Sequence, residues 1–320
     1  MECIRIRHWK ATQPRAMPGP TVSVILPTYN RADTLPRALA SIQAQTWQDH
    51  ETIVVDDGST DATAAVLASW ARAPTIRCIR VMHGGAAAAR NQGIRLARGR
   101  FIAFLDSDDR WTPDKLRRQL EVQRRTGAGV VHCDLLRILP NGRKRVMRTP
   151  DVRRGQVLDR RTGEYQTKGL GIQSVMVEAR VLDRAGGFDP DLRALEDLEL
   201  LLRLARITDF AAIHAPLVHY HAGPGVSTGR LAVARARRRL LHRYRDAVGA
   251  SPRALALQCA KTGLAYLRAG RPRAARRYGR LALRAAPLDL RTVLPALLPA
   301  WGQSRLLALL LRLERALGAD

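Results

Sequence analysis

The stretch VSVILPTYNRADTLPRALASIQAQTWQDHETIVVDDGSTDAT, residues 22–63, decides the fold. Val22 to Leu26 is a short apolar run of the kind that forms a strand covered on both faces. A helical pattern follows from about Thr34 to Gln45, then a second apolar run from Thr52 to Val55 and a second helix from Ala62 to Trp70. Working outward, Ile76–Val81 and Phe101–Leu105 read as further strands. The segments 86–97 and 113–125 read as helices, the latter with Pro113 at its first turn. Val130–Cys133 reads as a fifth strand. Strand–helix alternation at this spacing predicts an α/β fold with a mainly parallel, Rossmann-like sheet and flanking helices.

Beyond residue 133 the pattern loosens. Residues 134–175 are irregular and Arg-rich, with a hairpin expected around Pro140-Asn141-Gly142. A helix returns at about 196–206, and a late strand at Phe210–Ile213. From Arg230 the chain reads as helices broken at Ser251-Pro252, Gly270–Pro272, Pro287 and Gly302, and Leu264–Pro287 resembles a single tetratricopeptide-like helix pair. The expected organisation is a flexible leader over 1–20, a catalytic domain over 21–226 and a basic α-helical region over 230–320.

With 320 residues and 46% hydrophobic content the chain is large enough for a sizeable core. Its formal charge of +26 is unevenly spread. Residues 230–320 hold 20 Lys or Arg against 4 Asp or Glu. Such a region suits an anionic partner, whether an anionic membrane surface, an acidic polymer or nucleic acid; the alternative is coding bias, since Arg outnumbers Lys 49 to 5. The basic helices are poor in aromatics, which argues against nucleic acid. Cys3, Cys78, Cys133 and Cys259 are scattered singly, so neither a zinc site nor a disulfide framework is suggested. Free thiols, a start without an apolar signal segment and no run near the ~20 residues of a membrane span lead to the expectation of a cytoplasmic chain, free or peripheral at the inner face of the plasma membrane.

In an open parallel sheet, ligands bind beyond the carboxyl ends of the strands. The residues there are Pro27-Thr28-Tyr29-Asn30, Asp56-Asp57-Gly58-Ser59, His83-Gly84-Gly85 and Asp106-Ser107-Asp108-Asp109. Four polar or glycine-rich clusters thus share one edge. Asp106 and Asp108, two apart, can face the same way, and two such carboxylates are costly together without a cation. Hard oxygen ligands point to Mg²⁺ or Mn²⁺; the alternative is a solvated turn before the helix at Pro113. Asp57 can accept a hydrogen bond from a nucleobase edge or be a turn aspartate before Gly58, and Tyr29 can stack on a base or pack at the strand end. Glu196-Asp197 opens a helix, where acids either favour the dipole or act as a general base. His219, His221 and Ser227 follow the late strand, and a histidine there could complete a metal or phosphate shell.

Residues 22–63, HGGAAAARNQGIRLARGRFIAFLDSDDRWTPDKL (83–116) and GGFDPDLRALEDLELLLRLA (186–205) together resemble glycosyltransferase family 2, inverting enzymes of the GT-A fold. The likeness covers about 21–226 and includes the family's DxD motif. It implies that Pro27, Tyr29 and Asp57 hold base and ribose, that Asp106 contacts ribose or metal, and that Asp108 binds the metal and through it the diphosphate. It further implies Asp197 as catalytic base, Glu196 as a sugar-side support, and Arg90 and Asn91 beside the donor. The family's YR-x-H loop is replaced here by Tyr220-His221-Ala222-Gly223, which leaves open which histidine takes that place, with His221 as the candidate ligand. QxxRW is absent, implying transfer of a single sugar. The implied activity moves a sugar from a nucleoside-diphosphate donor, UDP by default, to a hydroxyl of a glycan, lipid-linked or other acceptor in cell-surface polysaccharide assembly. Transfer to a polyprenyl phosphate carrier and a non-catalytic basic adaptor are the alternatives. A dinucleotide enzyme or P-loop nucleotidyltransferase is disfavoured because neither GxGxxG nor GxxxxGK[ST] occurs.

Overall fold

A computed structural model of the chain describes residues 19–159, 162–222 and 229–286. Most of the expected leader, Ser227, and the helix breaks at Pro287 and Gly302 lie outside the described residues. The chain divides into two compact units, one formed by 1–156 with 166–227 and the other by 157–165 with 228–320.

In the first unit, β1 (Val22–Thr28) leads to α1 (Leu35–Gln43), β2 (His50–Asp56), α2 (Thr63–Trp70), β3 (Ile76–Arg80), α3 (Ala86–Leu96) and β4 (Phe101–Phe104). After them come the two-residue β5 (Arg110–Trp111), α4 (Lys115–Thr126), β6 (Val130–Ile138) and β7 (Lys144–Met147). The series ends with β8 (Met176–Glu178), α5 (Ala179–Ala185), α6 (Glu196–Ile207) and β9 (Phe210–His221). The strand order is β3-β2-β1-β4-β8-β6-β9-β5, with β7 paired to β6.

The sheet is more mixed than the alternation predicts. β1 to β4 run parallel. β8 then enters antiparallel to both β4 and β6, so the expected fifth strand is not the neighbour of the fourth. At three residues β8 is too short for an apolar period to register, which is why the sequence hid it. β6 and β9 pair in parallel, and both extend well past the expected spans Val130–Cys133 and Phe210–Ile213. The hairpin at Pro140-Asn141-Gly142 forms between β6 and β7.

Two apolar layers bury the sheet. Ile25, Ile53, Ile102, Phe104 and Val177 face one layer with Leu182, Phe188 and Leu200. Val24, Leu26, Ala103, Leu105 and Val131 face the other with Leu39, Ile42 and Leu116. The alternation along β1 and β4 is the period of two expected of a strand covered on both faces. Helix α3 approaches β1 closely. A Cβ on Gly93 would lie 2.5 Å from Ile25 Cγ2, so only glycine permits this approach.

The second unit consists of α7 (Arg230–Arg243), α8 (Arg245–Gly249), α9 (Pro252–Arg268) and α10 (Pro272–Ala285), together with the arm 157–165 closed by an antiparallel Leu158–Tyr165 bridge. Ser251 Oγ caps α9 by accepting from Ala254 N. Tyr266 and Tyr278 stack across the α9–α10 pair at 5.7 Å. The arm is held by Gln258 Nε2 donating to Gly163 O at 3.0 Å, by a Lys261–Glu164 ion pair and by Tyr165 against Tyr244. The sequence assigned these arm residues to the irregular part of the catalytic region, because a nine-residue excursion carries no period of its own.

Candidate active site

The loops after β1, β2 and β3 are bound to one another. Asn30, in the left-handed conformation at φ 51°, accepts from Thr60 N through Oδ1 at 2.7 Å. Tyr29 stacks on His83 with ring centroids 4.2 Å apart. Asp57 is buried, and Gly84 N and Gly85 N donate to its two oxygens at 2.8 Å each, with His83 Nδ1 2.9 Å from Oδ2. Asp57 therefore fastens the His83-Gly84-Gly85 turn that opens α3. An ionised carboxylate offers about four lone-pair directions, so most of its acceptor capacity is used within the protein. The sequence places His83 in a strand-end cluster with the two glycines but gives it no role of its own. Pro27 lies on β1 beyond Ile25, the last residue paired with β4, where a missing N–H costs the ladder little.

At the end of β4, Asp106 and Asp108 remain partly exposed, at 27% and 31% of their side chains. Asp108 Oδ2 pairs with Arg31 Nη2 at 3.2 Å, and Arg37 Nη2 donates to the Asp108 carbonyl. Burial, followed by the charge of Asp106, pushes the Asp108 carboxyl up from its ordinary value. Asp109 is fully buried. Its Oδ1 accepts from His221 N at 2.9 Å, and its Oδ2 is buried without a hydrogen-bond partner. Burial and Asp106 push this carboxyl up to about 9, so Asp109 is neutral at pH 7. Arg31 and Arg37 were missed in the sequence because they belong to the β1–α1 segment and reach Asp108 only through the fold.

Arg90 joins the two acidic clusters. Its Nη2 is 2.7 Å from Asp106 Oδ1 and its Nη1 2.9 Å from Glu196 Oε1, with only 6% of the side chain exposed. Phe188 lies under the guanidinium at 5.3 Å. The adjacent Asn91 binds the Phe188 backbone twice, donating to its carbonyl at 2.8 Å and accepting from its N–H at 2.9 Å. Asn91 thus sets the Gly186-Gly187-Phe188 turn. Arg203, buried against Glu199 on α6, donates to the carbonyls of Ala185 and Gly187 and holds the same turn from the other side.

Leu195, at φ 57°, is the strained residue just before Glu196. Asp197 Oδ1 accepts from Leu198 N at 2.7 Å. Part of Asp197 touches solvent, but protein surrounds it. Burial, and after it the charge of Glu196, raises its carboxyl to about 6, while Arg90 acts in the opposite sense. The structure therefore gathers Asp106, Arg90, Glu196 and Asp197 into one network.

His221 approaches this network by its backbone, through the bond to Asp109. Its ring is held below the ordinary imidazole range by burial and by Arg37, and its Nδ1 is buried without a partner. His219 accepts from Arg110 Nε at 2.8 Å. Among the described residues, no three His, Cys, Asp or Glu side chains converge as a metal cluster. His221 meets the β4 loop through its main chain, its N–H donating to Asp109 Oδ1 at 2.9 Å. Asp106 and Asp108 fit a divalent cation as a hard-oxygen pair: burial and then the charge of Asp106 raise the Asp108 carboxyl, and a cation relieves both.

The chain matches the family described as glycosyl transferase family 2 over residues 23–184. It is 36% identical over 191 residues to the succinoglycan biosynthesis protein ExoO of Rhizobium meliloti, a match covering 57% of this chain and 55% of that protein. It is 39% identical over 101 residues to the Escherichia coli UDP-Glc:alpha-D-GlcNAc-diphosphoundecaprenol beta-1,3-glucosyltransferase WfgD, covering 32% of this chain and 40% of WfgD. The matched part spans about half or less of these relatives' lengths. The crystal structure of Staphylococcus aureus TarS 1–349 in complex with UDP-GlcNAc superposes with a TM-score of 0.60 at 16% identity, over 87% of this chain and 90% of that one. At that identity the likeness establishes the fold alone: a GT-A sheet with flanking helices.

Proposed function

The chain belongs to glycosyl transferase family 2, and from that premise we propose that it transfers one sugar from a UDP-sugar to an acceptor hydroxyl, with inversion, in the assembly of a cell-surface polysaccharide. The observation that carries this reading is the Arg90 bridge, which ties a carboxylate of the strand-end pair to the acids that open α6. Support for the donor comes from WfgD, whose name specifies UDP-Glc, and from the UDP and UDP-GlcNAc complexes of TarS. Support for a polysaccharide product comes from ExoO, and a lipid-linked acceptor is what the name of WfgD states.

Tyr29 and His83 supply an aromatic wall for the base. Asp57 holds that wall in place and uses its remaining acceptor capacity for the base edge. Asp106 and Asp108 would hold Mg²⁺ or Mn²⁺, which when bound neutralises charge on the donor diphosphate. Arg31 stands beside Asp108, where it can follow the charge of the leaving nucleotide.

Asp197 takes the proton of the attacking hydroxyl as the new glycosidic bond forms and the bond to the nucleoside diphosphate breaks. A carboxylate raised to about 6 is a better base than an ordinary aspartate and is still ionised at pH 7. A single displacement inverts the anomeric centre. The raised Asp197 favours a hydroxyl acceptor over a phosphate carrier, since an anionic phosphate oxygen needs no base. Glu196 fixes Arg90 and lies where it can meet a sugar hydroxyl.

The test is nucleotide release from a panel of UDP-, GDP- and dTDP-sugars, with Mn²⁺ and with chelator. Asp197→Asn is expected to keep nucleotide binding and lower turnover by about 10²–10⁴-fold. Asp108→Ala is expected to abolish the dependence of nucleotide binding on the cation. Wild-type turnover in Asp197→Asn would remove the base assignment, and undiminished activity in chelator would remove the cation.

A further inference from the structure

The helical unit carries a charge that its own residues do not balance. Between 229 and 286 there are 16 Lys or Arg and one acid, Asp246. Helix α10 contains Arg273, Arg276, Arg277, Arg280 and Arg284 and no acid, so like charges recur at three- and four-residue spacing. Within this unit lies a cavity of about 500 Å³, lined by the partly buried Leu231 and Ala274 and the buried Tyr266, with the exposed Arg235, Arg271 and Arg273 around it. None of these three arginines has a carboxylate within ion-pair distance among the described residues, whereas Arg245 pairs with Asp246 and Lys261 with Glu164. The cavity also opens beside the first turn of α10, which contains no acidic residue.

An apolar floor beneath three unpaired guanidiniums is amphipathic, and it selects for an amphipathic anion. A free phosphate would use the arginines and leave the floor wet. A nucleic-acid strand would want stacking surfaces, whereas Tyr266 is buried and already stacked on Tyr278. The size falls within the range of small-ligand pockets. We propose that this cleft binds the phosphate headgroup and adjoining apolar portion of an anionic phospholipid, and so docks the chain on an anionic membrane surface. Arginine suits the task because its planar fork bonds two phosphate oxygens at once. The site is distinct from the Asp106–Arg90–Asp197 network and does not depend on which sugar is transferred.

The experiment is sedimentation of the full chain with vesicles of phosphatidylcholine alone and of phosphatidylcholine mixed with phosphatidylglycerol, at fixed ionic strength. The wild type is expected to bind only the mixed vesicles. Basic residues near an anionic surface contribute ~1 kcal/mol each, or about fivefold in affinity. The triple variant Arg235→Ala/Arg271→Ala/Arg273→Ala should therefore bind at least tenfold more weakly. The charge-matched triple Arg277→Ala/Arg280→Ala/Arg284→Ala should lose clearly less. Ala274→Phe, which fills the cleft without altering charge, should weaken binding as well. Circular dichroism and nucleotide affinity, unchanged in every variant, separate a docking defect from misfolding and from the sugar-transfer reading. Equal losses in the two triples, an unaffected Ala274→Phe, or tighter wild-type binding to duplex DNA than to the mixed vesicles would each overturn the cleft. So would displacement from vesicles by millimolar-scale glycerol phosphate as effective as displacement by short-chain phosphatidylglycerol, since that would leave the apolar floor without a role.

Discussion

Arg90→Met removes the charge that joins the two acidic clusters while keeping much of the side-chain length and its contact with Phe188. In the wild type, Arg90 stands between Asp106 and Glu196 at 2.7 and 2.9 Å with 6% exposure. Opposite charges whose centres lie about 4 Å apart attract by ~4 kcal/mol at an effective dielectric of ~20. Removing one member of such a buried arrangement typically costs about 3–5 kcal/mol, because the remaining charges lose their compensation. The chain can avoid part of that cost by protonating a carboxyl, and Asp197 is already raised to about 6. A base is active when ionised, so activity is present above its pKa and lost as pH falls through it. The wild-type acidic limb of kcat/KM is therefore expected near pH 6. Without Arg90 the limb should move upward by at least one pH unit, since only ~1.4 kcal/mol of lost attraction is needed for each unit. The assay is nucleotide release across pH 5 to 9, using kcat/KM because it reports the free enzyme. Arg90→Met should lose most at pH 6 and recover part of its deficit by pH 9. Arg90→Lys, which keeps the charge but not the fork, should leave the limb close to wild type while lowering the plateau. A folded Arg90→Met protein whose limb coincides with that of the wild type would refute the coupling of Arg90 to Asp197.

Two further outcomes are expected. Tyr29→Ala should weaken binding of the free nucleotide, measured calorimetrically, by the ~1–3 kcal/mol typical of a base–aromatic stack, with kcat at saturating donor little changed; unaltered affinity would place the base elsewhere. For Asp109 the folded carboxyl sits at about 9 against an unfolded value near 4, so the unfolded state gives up its proton first. Stability from this group is full below about pH 4 and is lost as pH rises toward 9. Asp109→Asn, neutral throughout, should flatten that decline in a series of Tm measurements, and an equally steep decline in the variant would show that Asp109 is ionised in the folded protein.

The part of the fold that the sequence makes legible is the part built from continuous apolar runs. Strands β1 to β4 are covered on both faces, so their periods stand out, and the four polar clusters at their ends follow from the connectivity alone. The far half of the sheet is written in weaker signals. β8 has three residues and β5 two, and the second half of β6, where Asp134 and Arg137 interrupt the apolar run, is held by pairing with β7 and β9. Such strands owe their existence to neighbours, which a single-chain period cannot register. The arm 157–165 is a similar case, since it is attached by Tyr165 against Tyr244 at the end of α7 and by an amide bond and an ion pair from Gln258 and Lys261 of α9.

At the site, residue types were legible and their partners were not. Asp57 reads equally well as a base acceptor and as a turn aspartate, and the structure gives it a strong share of the second role through Gly84 N and Gly85 N. Asn91 and Arg90 are neighbours in the sequence and divide the labour: one holds a main-chain turn 97 positions away, the other a carboxylate 106 positions away. Their separation of duties depends on where α3 lies, and α3 lies where it does because residue 93, one turn further on, has no side chain. A Cβ there would meet Ile25 at 2.5 Å and push the helix off β1. Overpacking of this kind typically costs 1–3 kcal/mol. The displacement would reach Arg90 in the same helix and lengthen both of its ion pairs, even though Gly93 touches neither acid. The chemistry of the site thus rests on a position that carries no functional group.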